Sequence, residues 1–173
     1  VQHLPGIGHT MRAAALTRAM RAAGLEVTYV SGGFETVTLD LGGAAVLQLP
    51  PVRSADASFR TLVGENGHAI DDDWRERRKA ALLDAFETVN PDIVLIELFP
   101  FGRWPFRFEL LPMLEAAHRK RHRPYVACSL RDILVPKTEP KRLTAIVDTV
   151  RRYFDAILVH GDPSFIRLDE TFA

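Results

Sequence analysis

Apolar positions along this chain fall into two spacings that take turns. Residues 27–30, 44–49, 92–98, 125–129 and 156–159 are short runs rich in β-branched and aromatic side chains, and residues 1–4 form another short apolar piece. Their lengths predict strands. The lack of inside–outside alternation within them predicts a sheet covered on both faces. Between these runs apolar residues recur every three or four positions, the spacing of a helix with one buried stripe. Ala13, Leu16, Met20 and Ala23 predict a first helix, ended by Gly24. Trp74, Ala81, Leu82, Ala85, Phe86 and Val89 predict a second, which Asn90-Pro91 breaks. Leu110, Leu111, Leu114 and Ala117 predict a third over 105–120, and Leu143, Ile146, Val147, Val150 and Phe154 a fourth. Residues 52–72 carry no period, and so long a connection predicts a functional loop or small elements of its own. Strands separated by helices imply right-handed crossovers. The expected fold is therefore α/β, a Rossmann-like parallel sheet of about six strands with helices on both faces, and residues 1–173 read as one domain.

Composition narrows the function classes. The 173 residues contain 22 Lys and Arg against 22 Asp and Glu, a net charge of zero, so no long-range field draws the chain to nucleic acid. The single cysteine, Cys128, excludes a disulfide framework and a cysteine-rich zinc site, and its place in a strand predicts a small core residue. No apolar run approaches the roughly eighteen residues of a membrane span. No secretory signal pattern is legible, which leads to an expected cytoplasmic location. The opening Val1-Gln2-His3-Leu4 reads like the inside of a strand and suggests a piece of a longer protein.

Candidate chemistry collects after the strands. In an open parallel sheet, ligands bind outside the carboxyl ends of the strands. Those ends deliver Gly6, Gly8 and His9, then Ser31, Gly32 and Gly33, then Glu97 and Arg103, then Ser129, Arg131 and Asp132, and last His160. The amino ends are plainer, with Gly24-Leu25-Glu26, Asn90-Pro91 and Arg123-Pro124. Polar residues also mark ordinary turns, but five such loops on one edge favour a cleft. Gly6-Ile7-Gly8-His9-Thr10 is the richest of them, a strand end and two glycines before a helix, suited to an anion or a hydroxyl. A dinucleotide is not the expected ligand. The third glycine of that fingerprint would fall on Met11, and Ser31-Gly32-Gly33 stands where its acid belongs. His9 can serve as a general base, against the commoner alternative of a capping or solvent-facing histidine.

Two charge runs have plainer readings. Asp71-Asp72-Asp73 precedes a helix rather than ending a strand, so it reads as an acidic helix start and not a metal site. His118-Arg119-Lys120-Arg121-His122-Arg123 closes a helix, where cations suit the dipole; its functional alternative is peripheral contact with anionic lipid at an inner membrane.

The stretches Gly6-Ile7-Gly8-His9-Thr10-Met11-Arg12, Leu16-Thr17-Arg18-Ala19-Met20 and residues 24–33 resemble the amino-terminal domain of GT-B glycosyltransferases, in the bacterial MurG-like branch. Residues 97–103, 128–132 and 159–163 resemble predicted glycosyltransferases of the same branch. The resemblance implies the acceptor-side half of a two-domain enzyme, with a missing carboxyl-terminal domain gripping the nucleotide-sugar donor. It places His9 as catalytic base on the acceptor hydroxyl. Around it, Gly6, Gly8, Arg12, Ser31, Gly32, Gly33, Glu97, Arg103, Arg131, Asp132 and His160 would bind substrate. No metal and no cofactor is implied. The Gly-x-Gly-His-x-x-Arg pattern also resembles nucleotide-sugar hydrolases of that superfamily, where the histidine would activate water. A non-catalytic sugar- or nucleotide-binding module is the third expectation.

Overall fold

The computed structural model describes residues 1–2, 8–34, 38–55, 61–131, 134, 139–162 and 164. They form two compact units, Val1–Asn90 and Pro91–Ala173, each with its own parallel ladder. The fold is mixed α/β.

In the first unit, helix α1 (Gly8–Ala22) leads to strand β1 (Thr28–Ser31), which pairs in parallel with β2 (Ala45–Gln48). Val1 extends this ladder on the other side of β1. Its ammonium donates to the Val30 carbonyl at 2.6 Å, and Gly32 N–H donates to the Val1 carbonyl at 2.9 Å. The expected first strand is thus represented by Val1 and Gln2, while His3 and Leu4 lie outside the described residues. The buried stripe of α1 is Thr10, Ala13, Ala14 and Thr17, with Leu16 and Met20 half-buried. The stripe is rotated from the expected one, toward Thr10, Ala14 and Thr17. The aperiodic stretch holds small elements of its own, an antiparallel pair of β3 (Arg53–Ser54) and β4 (Leu62–Val63).

Helix α2 (Asp72–Val89) begins as its acids predict: Asp71 caps it, its carboxylate accepting from Trp74 N–H at 2.7 Å. Its buried face is Leu82, Phe86 and Arg78, the last only 1% exposed. The Arg78 guanidinium donates to the carbonyls of Gly32 (2.7 Å) and Pro50 (2.6 Å) and to Gln2 Oε1 (2.8 Å). Gln2 Nε2 in turn donates to the Val52 carbonyl at 3.1 Å. One side chain therefore ties together the chain leaving β1, the chain leaving β2 and the amino-terminal strand. A buried guanidinium demands such partners, since each unmet donor would carry a desolvation penalty. The Trp74 ring, 5.5 Å from the guanidinium carbon, closes over it.

In the second unit, β5 (Ile93–Glu97), β6 (Tyr125–Arg131) and β7 (Ala156–His160) form a parallel sheet with β6 in the middle. A 3-10 turn (Trp104–Phe106) runs into helix α3 (Arg107–Arg119), and α4 (Pro140–Tyr153) connects β6 to β7. Five central residues of β6 are buried, Cys128 among them, as a strand with a neighbour on each side requires. The core joins Leu98, Phe101, Cys128, Leu130, Leu134 and Ile146, with Val150, Phe154 and Ile157 against it. Of the predicted α4 stripe only Val147 turns outward. At the amino end of the sheet Asp155 accepts from Val126 N–H (2.8 Å) and from Arg123 (2.9 Å). The Val126 amide, ahead of the arginine, holds the Asp155 carboxyl below the usual carboxylate range against the opposing effect of burial. Arg123, the last residue of the basic run, thus has an acidic partner at this end of the sheet. Among the described residues no helix is long and apolar enough to cross a membrane.

Gly32 is glycine for a steric reason: a Cβ there would collide with the Arg78 guanidinium and Gln2 Oε1. Gly32→Ala should lower stability by about 1–3 kcal/mol, the usual range for overpacking. Gly8→Ala, where a Cβ meets nothing, should be neutral. Urea unfolding of the two variants measures the difference; equal midpoints would refute the steric role.

Candidate functional site

The carboxyl end of the β5–β6–β7 sheet gathers a connected polar group. Glu97 and Ser129 are register partners, and Arg131 partners His160. Side chains on one face of neighbouring parallel strands stand side by side, so register alone brings these residues together. Arg131 lies within β6 itself, because that strand runs two residues beyond its expected end.

Glu97 is 7% exposed and Ser129 1% exposed. The Ser129 hydroxyl donates to Glu97 Oε2 at 2.6 Å, and its oxygen lies 3.1 Å from His160 Nε2. With its own hydrogen committed to the carboxylate, Ser129 Oγ can only accept from the imidazole, which assigns the Nε2 hydrogen to His160. A relay results, His160 to Ser129 to Glu97, with every donor pointing toward the carboxylate. It differs from a Ser-His-acid nucleophile arrangement, where the acid orients the histidine and the serine gives its proton to the imidazole. Here the acid holds the serine directly.

The loop after β5 brings Arg103 to this group. Leu98 adopts φ 66°, an unusual value for a side chain of its size; its N–H donates to the Ser129 carbonyl and its carbonyl accepts from Gly102 N–H at 2.7 Å. A Cβ at position 102 would press on the Leu98 side chain, so glycine lets the loop turn back. Arg103 follows at φ 56°. Burial pushes its guanidinium below its ordinary value, Glu97 opposes this, and the like charge of Arg131 adds to it. Arg103, Arg131 and the buried Glu97 thus act on one another at this edge.

The first unit holds a second set. Gly8 opens α1 and is exposed; His9 is half-buried, and its Nδ1 lies 3.2 Å from Arg12 Nη2. Guanidinium nitrogens only donate, so Nδ1 accepts and the imidazole hydrogen sits on Nε2. Ser31 ends β1, while Gly32 and Gly33 are buried and their carbonyls serve Arg78 and Gln48 (2.7 and 3.1 Å). That employment is structural. Gly6 and Asp132 lie outside the described residues. Among the described residues no three His, Cys, Asp or Glu side chains cluster as a metal site needs.

No protein-family model, curated protein or solved structure matches this chain.

Sequence reasoning passed over Arg78, which sits in the charged run Arg75-Glu76-Arg77-Arg78-Lys79 and reads there as solvated surface. The signal was available: Trp74, Arg78, Leu82 and Phe86 repeat at intervals of four, one helix face. It also named Ser129 without assigning it a site role. Ser129→Ala should remove both hydrogen bonds and leave a buried carboxylate short of a donor, destabilising by about 1–3 kcal/mol. The His160 ring-nitrogen resonances should shift with it. Unchanged ring resonances in Ser129→Ala would refute the relay.

Proposed function

We propose that this chain is the acceptor-side part of a GT-B type glycosyltransferase, with a Rossmann-like sheet flanked by helices on both faces. The observation that carries the reading is the Glu97–Ser129–His160 relay at the carboxyl ends of three adjacent parallel strands. Sugar hydroxyls are both donors and acceptors, and a polar row with fixed donor direction, rimmed by Arg103 and Arg131, suits a hydroxyl-rich ligand. The resemblance of 6–12 and 24–33 to the MurG-like branch supports the same class. The nucleotide-sugar donor would be held by residues beyond this chain.

By the resemblance, His9 would be the base that takes the proton of the acceptor hydroxyl while that oxygen bonds to the anomeric carbon. The bond from that carbon to the nucleotide diphosphate breaks, and the diphosphate leaves with the electron pair. The receiving nitrogen is Nδ1, the one that carries no hydrogen; the acceptor therefore displaces Arg12 from it.

In the complete enzyme, His9→Ala should lower turnover about a hundredfold or more with donor affinity nearly intact, the scale of a lost general base. Product analysis with and without acceptor separates transfer from hydrolysis. Turnover like that of the unmodified enzyme in His9→Ala would remove His9 from the chemistry, and sugar released to water regardless of acceptor would favour the hydrolase.

A further inference from the structure

Arg107 and Arg142, 35 positions apart, converge on one indole. The Arg142 guanidinium carbon lies 3.9 Å from the centre of the Trp104 ring, and that of Arg107 lies 5.8 Å from the same centre. Trp104 is held in place: its ring stacks on the fully buried Phe99 at 5.9 Å and 19°, and its carbonyl accepts from Arg107 Nη1 at 3.4 Å.

One arginine over a tryptophan is an ordinary contact, worth about 0.5–1 kcal/mol at an exposed site. Two on one ring repel each other. Both also stand where a helix disfavours cations. Arg107 is the first residue of α3, Arg142 is in the first turn of α4, and α4 has no acid in that turn. Among the described residues, no carboxylate lies within ion-pair distance of either arginine. Arg142 Nε is buried with no hydrogen-bond partner. Burial pushes the Arg142 guanidinium below its ordinary value, Arg107 pushes it further, and Glu139 opposes. The fold therefore brings two guanidiniums onto one indole, with Glu139 at the start of α4 the acid that opposes their repulsion.

We infer that Arg107, Arg142 and Trp104 form a binding site for a phosphate group, both guanidiniums donating to its oxygens and the indole walling one side. A carboxylate fits less well, since one arginine fork already occupies both of its oxygens. A phosphate has oxygens for both. The inference rests on this cluster alone and stands independently of the sugar-transfer reading.

The test uses the intact chain, with inorganic phosphate and glucose 1-phosphate as probes at constant ionic strength, read by calorimetry. Trp104 fluorescence in a Trp74→Phe background, where it is the only tryptophan, gives a second readout. Saturable binding of either probe is expected, and glucose 1-phosphate binding without inorganic phosphate would assign the site to esters. Arg142→Gln and Arg107→Gln should each weaken binding by about tenfold or more, as loss of a charge-assisted pair implies. Arg151→Gln, an exposed cation in the last turn of α4, should leave it unchanged. Arg107 is exposed, so its variant keeps the test valid even where Arg142→Gln misfolds. No saturable signal from either probe, or an equal loss in Arg151→Gln, would overturn the inference.

Discussion

A buried carboxylate has to be satisfied, and in Pro91–Ala173 that requirement organises everything at the carboxyl edge of the sheet. Glu97 ends β5 almost out of solvent, where an unpaired charge would be prohibitive. Ser129 on the central strand donates to it, and His160 on the outer strand extends the chain of donors. Arg103 is delivered by a loop that can reach the group only because Leu98 accepts a left-handed backbone and Gly102 leaves room for it. Parallel register supplies the proximity, and burial supplies the direction of each hydrogen bond. The relay is thereby preorganised, and under the proposed function that would suit a hydroxyl-rich ligand with many possible orientations.

In Val1–Asn90 the same problem is met with the opposite charge. Arg78 is as buried as Ser129, and the backbone carbonyls at the strand ends serve as its acceptors. This explains why Gly32 and Gly33, though they follow a strand on the ligand-prone edge, are taken up by the fold. The two edges are thus differently employed: one satisfies a buried cation with backbone carbonyls, while the other sets Arg103 and Arg131 beside the buried Glu97.

Strands β1, β2, β5, β6 and β7, the four helices and the acidic start of α2 were legible in the sequence, because apolar spacing and capping residues are local signals, whereas the two-residue strands β3 and β4 carry no period to read. Glu97, Arg131 and His160 could be singled out by their place at the ends of strands. Their connection through Ser129 could not, since it depends on which strands are neighbours and in what register. Arg78 was hidden by its charged neighbours although its spacing matched the buried stripe. The convergence of Arg107 and Arg142 on Trp104 was likewise out of reach, because it joins a loop to the first turns of two helices far apart in the chain.

The central claim is that the carboxyl edge of β5–β6–β7 is where ligand binds. Amide chemical-shift mapping of the isotope-labelled chain, titrated with N-acetylglucosamine as a hydroxyl-rich acceptor probe, tests it most directly. The account predicts shifts at Leu98, Gly102, Arg103, Arg131 and Gly161, with Asp92, Arg123 and Tyr125 at the amino edge unmoved. Shifts confined to the amino edge, or none at saturating probe, would contradict it.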